Sequence, residues 1–325
     1  MIYRSLVIPA VSMMALSAAL MPAPASAAAS FSCNTARLIV PWKAGGGTDV
    51  IYRIVANAVN ESGAKPGLQV VNIGGQGGNK GAKEARESKN DGCTLFAIHQ
   101  SAMTSYFTGR VDFSFEAFEP VALMTRTPGF VGAAANTPWT NMKELIADAK
   151  KRPGKILAGG TLGSTSQFFF LLIEDQTGVQ FKHIPYDGTR ERMTALLAGN
   201  IELGEINLTS ARKHIQAGKL KALGFSGPTR AYLKDVPTFK EQGVDVVYGV
   251  ERGIVLPKGA SAAVVKHWEG ALLKACKDPK VVDALDKKGT LAICEGAAAY
   301  GPYINATFAK WKGIAKKVGA YKRKD

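Results

Sequence analysis

The sequence predicts an α/β fold in two domains, each a mostly parallel sheet flanked by helices. Three observations predict it. Strand-like and helix-like stretches alternate through most of the chain, the pattern of sheets covered on both faces. Three short apolar strands run into glycine-rich turns that open helices. About 300 residues follow an apolar leader, enough for two hydrophobic cores.

The leader comes first. Arg4 supplies its charge, residues 6–20 its apolar run, and Ala25-Ser26-Ala27 a small-residue cleavage site, so residues 1–27 read as a signal peptide cut after Ala27. The apolar run is too short for a transmembrane helix. Ser30-Phe31-Ser32 before Cys33 makes a poor lipidation box. A soluble exported protein is expected.

The first strand is Leu38-Ile39-Val40, followed by Pro41-Trp42-Lys43-Ala44-Gly45-Gly46-Gly47 and a helix opened by Thr48 or Asp49. Bare backbone N–H groups at a helix start form a ready anion site. Residues 68–73 repeat the arrangement, ending in Gly74-Gly75-Gln76-Gly77-Gly78-Asn79-Lys80-Gly81. Its spacing fits neither a Walker A loop nor G-x-G-x-x-G, so a nucleotide site lacks support. Further strands are expected at 94–98, 118–124 and 130–134. In the second half they are expected at 156–159, 181–184, 201–206 and 222–225. Helices are expected at 50–60, 82–88, 142–150, 167–176 and 190–198. The mid-chain turn Gly159-Gly160-Thr161-Leu162-Gly163-Ser164-Thr165-Ser166 is a third loop of the same kind, whose hydroxyls can cap the helix or hold a carboxylate. Phe168-Phe169-Phe170 behind it reads mainly as core. Ligands in such sheets sit beyond the carboxyl ends of the strands, where all three loops lie.

The net charge is +15, with 41 Lys and Arg against 26 Asp and Glu. The lysines are scattered along helices rather than clustered with aromatics, which argues against nucleic acid. The dense run from Lys316 to Lys324 reads as a solvated helix end. The charge suits anionic solutes in general. Four cysteines in an exported chain suggest disulfides, with three connectivities open. Cys33 and Cys93 precede strands that would be parallel neighbours, which makes their pairing sterically reasonable and leaves Cys276 with Cys294. No C-x-x-C, G-x-S-x-G or H-E-x-x-H occurs, and His99, His183, His214 and His267 show no ligand spacing. No metal, cofactor or catalytic residue is expected. His99 alone stands at a strand's carboxyl end, where it could line a cleft.

Together these blocks resemble the Bug-type solute-binding receptors of tripartite tricarboxylate transporters. The likeness rests on the two glycine loops, Asn90-Asp91-Gly92-Cys93-Thr94-Leu95, His183-Ile184-Pro185-Tyr186-Asp187-Gly188, residues 215–223 and Asp235-Val236-Pro237-Thr238, all in the family's order. It implies a two-lobed periplasmic-binding-protein fold of type II. Lobe one would be 28–125 plus 228–325 and lobe two 126–227, with hinge crossings near Arg126 and Gly227. It implies a monomer that closes on a small carboxylate and delivers it to large and small membrane permease subunits. Carried over, it assigns ligand contacts to Trp42, Lys43, Gly46, Gly47, Thr48, Gln76, Gly77 and Gly78 in lobe one. In lobe two it assigns them to Thr161, Gly163, Ser164 and Thr165 and to the turn after the Tyr186 block, with Tyr186 nearby. Valine at Gly46 or Gly77 should then block the backbone approach.

The chain departs from the family where specificity is set. Gln167 stands where a His is frequent. Ile206-Asn207 stands for an Asp-Asn pair, with Glu205 one position earlier. Glu251-Arg252 stands where an aromatic is frequent, and Arg252 could grip a carboxylate or pair with an acid. Asn207 and Arg252 join the candidate ligand residues. Ile206 and the Phe168 helix lean toward an aromatic or partly apolar carboxylate, with a di- or tricarboxylate held by Arg252 or Lys43 close behind. A sensory receptor with the same closure, or an enzyme acting on a carboxylate, are the alternative functions.

Overall fold

The computed structural model describes residues 29–324. The signal peptide and the cut after Ala27 lie outside them. Ten strands and ten helices follow in order: β1 (Thr35–Val40), α1 (Gly47–Glu61), β2 (Gly67–Asn72), α2 (Asn79–Glu87), β3 (Thr94–His99) and α3 (Ser101–Phe107). Next come β4 (Phe118–Ala134), α4 (Met142–Lys151), β5 (Leu157–Gly160), α5 (Thr165–Thr177), β6 (Lys182–Pro185), α6 (Thr189–Leu197), β7 (Leu203–Asn207), α7 (Leu208–Gln216) and β8 (Leu220–Phe225). The chain ends with β9 (Gly249–Pro257), α8 (Ala262–Cys276), α9 (Pro279–Asp286), β10 (Leu291–Gly296) and α10 (Ala297–Lys317).

The first sheet runs β2-β1-β3 in parallel, then β9, β4 and β10 antiparallel to their neighbours. The second runs β6-β5-β7 in parallel, with the end of β4 antiparallel to β7 and β8. Two strands expected at 118–124 and 130–134 are therefore one strand of 17 residues that serves both sheets. The partner changes between Pro128, paired with Gly249 of β9, and Gly129, paired with Asn207 of β7. Proline has no N–H to give a ladder, so the break falls where one donor is already missing.

The chain returns to the first sheet later than expected. Beyond Gly227, residues 228–248 stay on the second sheet. Phe225 N–H donates to Pro237 O and Phe239 N–H to Phe225 O. Gln242 Oε1 accepts from Met142 N–H at 2.8 Å. Phe239 stacks near Phe169, centroids 5.6 Å apart. Burial of Tyr232, Leu233 and Val236 against the Phe130 cluster holds the segment there. The return is at Tyr248–Gly249. Fully buried Ser226 joins the two crossings: its hydroxyl accepts from Gly129 N–H and lies 2.7 Å from Gly129 O and 2.9 Å from Tyr248 O.

Helix α10 packs on the first sheet and reaches the second, where Trp311 meets Phe168 and Tyr248. Both disulfides are present, Cys33–Cys93 tying the start of β1 to β3 and Cys276–Cys294 tying α8 to β10. Among the described residues no helix is long and apolar enough to cross a membrane.

Candidate ligand-binding site

Four helices begin at one cleft between the sheets. α1 begins after Gly46 and α6 after Gly188, and neither glycine can offer a side-chain cap. Their first-turn N–H groups are left open. α5 is capped by Ser164 through Ser166 N–H, and α7 by Asn207 through Ser210 N–H. Each start carries about half a positive charge. The cleft is small, about 50 Å³.

Two buried arginines reach it. Arg192 of α6 is paired with Glu205 of β7 at 2.9 Å, and the same guanidinium donates to Glu205 O, Thr161 Oγ1 and Ser166 Oγ. Burial pushes the Glu205 carboxyl up against the pull of Arg192. Arg252 of β9 is 2% exposed and meets neutral acceptors only: Thr48 Oγ1 at 3.0 Å, Thr127 Oγ1 at 2.7 Å and, more weakly, Val250 O. Burial lowers it to about 10. Glu251 is not its partner. Alternation along β9 turns Glu251 to the other face, where it pairs with Arg126 at 2.6 Å.

Trp42 stacks on His99, 5.4 Å between centroids, and donates its indole N–H to His99 Nε2 at 3.0 Å. Burial, with the Arg252 charge adding to it, lowers His99 to about 3, so this imidazole is neutral. Three contacts bridge the cleft. Lys43 pairs with Glu191, Arg190 donates to Ala44 O at 3.0 Å, and Gly77 N–H donates to Asp187 Oδ1 at 2.7 Å. Among the described residues no group of three or more His, Cys, Asp or Glu could hold a metal ion.

Ten of the expected ligand residues line the cleft: Trp42, Lys43, Gly46, Gly47, Thr48, Thr161, Ser164, Thr165, Asn207 and Arg252. Five do not. Gln76 O accepts from Arg110, Gly77 is engaged by Asp187, and Gly78 abuts the Trp42 ring, where a Cβ would sit 3.1 Å away. Gly163 O accepts from Ser105 Oγ, and Tyr186 lies in a neighbouring depression with Lys43, Arg190 and Glu191. The second glycine loop therefore backs the cleft, and a carboxylate of the chain itself occupies its N–H.

Two arguments for an apolar ligand fall away. Ile206 is fully buried on the opposite face of β7, against Phe130, Leu196 and Phe225, while Glu205 and Asn207 face the cleft. Phe168, Phe169 and Phe170 are all fully buried in the core. Gln167 accepts from Gly163 N–H at 2.7 Å and so closes its own loop. The β6–α6 turn, Asp187 to Arg190, lines the cleft, as the resemblance implies for the turn after Tyr186; sequence reasoning missed the Arg192–Glu205 pair. The turn carried a signal, a glycine before a Thr at a helix start. The pair carried none, since its members lie 13 positions apart, one on α6 and one on β7. Gly46 lines the cleft with an ordinary φ of −76° and only Lys43 O at 3.5 Å from a Cβ, whereas Gly77 has a φ of +69° and does not line it.

Two α/β sheets that share a strand and enclose a cleft of helix starts define a two-lobed solute-binding protein. The chain belongs to the tripartite tricarboxylate transporter receptor family, TctC, whose model matches residues 51–320. A Cupriavidus necator protein described as "UPF0065 protein in gbd 5'region" is 30% identical, over 95% of this chain and 94% of its own. The solved periplasmic binding protein BugD is 27% identical with a TM-score of 0.83, covering 89% of this chain and 99% of that one. An R. palustris protein solved with adipate shares the fold at 24% identity, with a TM-score of 0.83, covering 88% of this chain and 97% of that one. The family is one of receptors, and the solved BugD is a periplasmic binding protein.

Proposed function

We propose that the protein captures a small carboxylate between its two sheets and hands it, unchanged, to a tripartite transporter permease. The observation that carries this reading is the meeting of four helix starts with a buried arginine whose hydrogen bonds go to neutral oxygens, all at one cleft. Positive ends of helix dipoles and a guanidinium favour an oxyanion there. The cross-cleft contacts support closure as the means of capture: the ligand binds one wall, the other swings in, and the population shifts toward the closed form. The adipate of the R. palustris protein guides the choice of probes. The export signal and the cut after Ala27 complete the reading, as do the large and small permease subunits as partners.

A thermal-shift screen of the mature protein against mono-, di-, tri- and aromatic carboxylates tests it. A ligand that binds the native state raises the melting temperature by mass action. A shift confirmed by calorimetry, with the solute recovered chemically intact, is expected. No shift with any carboxylate, from a sample whose denatured supernatant holds no solute by mass spectrometry, refutes it.

A further inference from the structure

We infer that the turn between α9 and β10, residues 287–290, positions Arg252 from outside the cleft, with Thr290 as the positioning residue, and seats the opposite wall as well, a role that rests on the carboxylate reading above. The guanidinium is steered by neutral oxygens. Its Nε donates to Thr48 Oγ1 at 3.0 Å and its Nη1 to Thr127 Oγ1 at 2.7 Å. The charge of Glu205 favours the guanidinium, but that carboxylate is hydrogen-bonded to Arg192. Thr127 stands on β4 directly before Pro128, where the strand changes sheets. Its hydroxyl meets Thr290 Oγ1 at 2.9 Å, and both threonines are buried. A hydroxyl offers one hydrogen and two lone pairs. Arg252 takes one lone pair of Thr127, and the bond to Thr290 fixes how the rest of that hydroxyl points.

The turn is a firm base. Gly289 takes a left-handed φ of +68°, and Thr290 N–H donates to Leu285 O at 3.0 Å, which closes the end of α9. Leu285 and Val281 of α9 cluster with Ile51 of α1, the helix whose Thr48 holds the other side of Arg252. The Cys276–Cys294 bond ties β10, which follows the turn, to α8. The same turn meets the second-sheet wall. Thr209 Oγ1 donates to Lys288 O at 2.9 Å, and Leu208 packs over Gly289, where an added Cβ would stand 2.9 Å from Leu208 Cβ. Leu208 opens α7 directly after Asn207, which lines the cleft. One turn therefore sets a guanidinium on one wall and a helix start on the other. Thr290 does not itself line the cleft, so the loss of its hydroxyl reaches a bound solute by way of Thr127 and Arg252.

Calorimetric titration of the wild-type mature protein with acetate, succinate, citrate and benzoate finds the tightest of these acids. That acid is then titrated into Thr290→Val, Thr290→Ser, Arg252→Gln and the double variant Arg252→Gln/Thr290→Val, each checked for folding by circular dichroism. Valine keeps the shape of threonine and removes the hydroxyl; Thr290→Ala replaces it should Thr290→Val not fold. Loss of one hydrogen bond should weaken binding about 3- to 10-fold in Thr290→Val, and Thr290→Ser should restore it to within about twofold. On the Arg252→Gln background, removal of the Thr290 hydroxyl should change affinity less than about twofold. The same loss on both backgrounds marks a merely structural threonine and overturns the positioning role. Wild-type affinity in Thr290→Val overturns it too, as does a serine variant as weak as the valine one. Where Arg252→Gln binds too weakly to titrate, Thr127→Val serves as the background, and additive losses there overturn the role in the same way. Wild-type binding of at least one acid with any of these results leaves the carboxylate reading intact. Binding of none of the four acids overturns that reading and the positioning role with it.

Discussion

Alanine at Gly47 should hold the cleft open. A Cβ there would stand 2.7 Å from Asn207 Nδ2, 2.9 Å from Oδ1 and 3.0 Å from Cγ. Gly47 opens α1 on one wall and Asn207 caps α7 on the other. Asn207 has little room to yield: it is 5% exposed, accepts from Ser210 N–H and is fixed by its ladder pairing with Gly129. The walls must therefore part by a few tenths of an ångström, which strains the Gly77–Asp187 and Arg190–Ala44 bonds. Overpacking of this kind costs about 1–3 kcal/mol. Because the clash exists only when the walls meet, the whole cost falls on the closed form. Affinity should then drop by about 5- to 150-fold, at about 1.4 kcal/mol per decade. The ligand-free melting temperature should stay near that of the wild type. The assay is calorimetry with the tightest carboxylate from the screen, alongside small-angle scattering with and without it. Wild-type affinity in Gly47→Ala would refute the argument that this contact limits closure.

Two further outcomes are expected. In the folded state His99 titrates at about 3 against 6.5 unperturbed, so between these values only the unfolded chain takes up its proton. Stability then falls as pH is lowered through that window, by about 1.4 kcal/mol per unit from this group. Urea titrations from pH 7 to pH 4 should show a shallower loss in His99→Gln, and parallel profiles would rule the assignment out. Cys33–Cys93 closes a separation of 60 residues and Cys276–Cys294 one of 18. On the chain-entropy account their paired Ser variants should lose about 4 and about 3 kcal/mol. Equal losses, or a larger one for the shorter loop, would contradict that account.

What the sequence discloses here is local, and what it hides is a matter of parity and distance. The strand–glycine–helix runs at Val40 to Thr48 and Gly160 to Thr165 are contiguous, so the helix starts on the cleft could be placed by inspection. The facing of β7 could not. Sliding a strand's phase by one residue exchanges its faces, and nothing within residues 201–206 says that Glu205 looks inward and Ile206 outward. The second loop misled for another reason. Its glycines are open in isolation, but Asp187, 110 positions away, fills the N–H they expose. Residues 228–248 carry little regular structure, and only packing against Phe169 and Met142 reveals which sheet they belong to. The length of β4 was masked by Pro128-Gly129, which reads as a turn and is instead where one ladder hands over to another.

That handover has an energetic meaning. A joint formed where a strand lacks a donor can flex without breaking a ladder bond, and the Ser226 hydroxyl nearby can swivel with it. Little of the resistance to opening then resides in the joint. It resides at the mouth, in an exposed ion pair and two hydrogen bonds, and in the packing of Trp311 on Phe168 and Tyr248; the exposed ion pair contributes about 1 kcal/mol or less. A solute that touches both walls adds its own contacts to these and shifts the population toward the closed form.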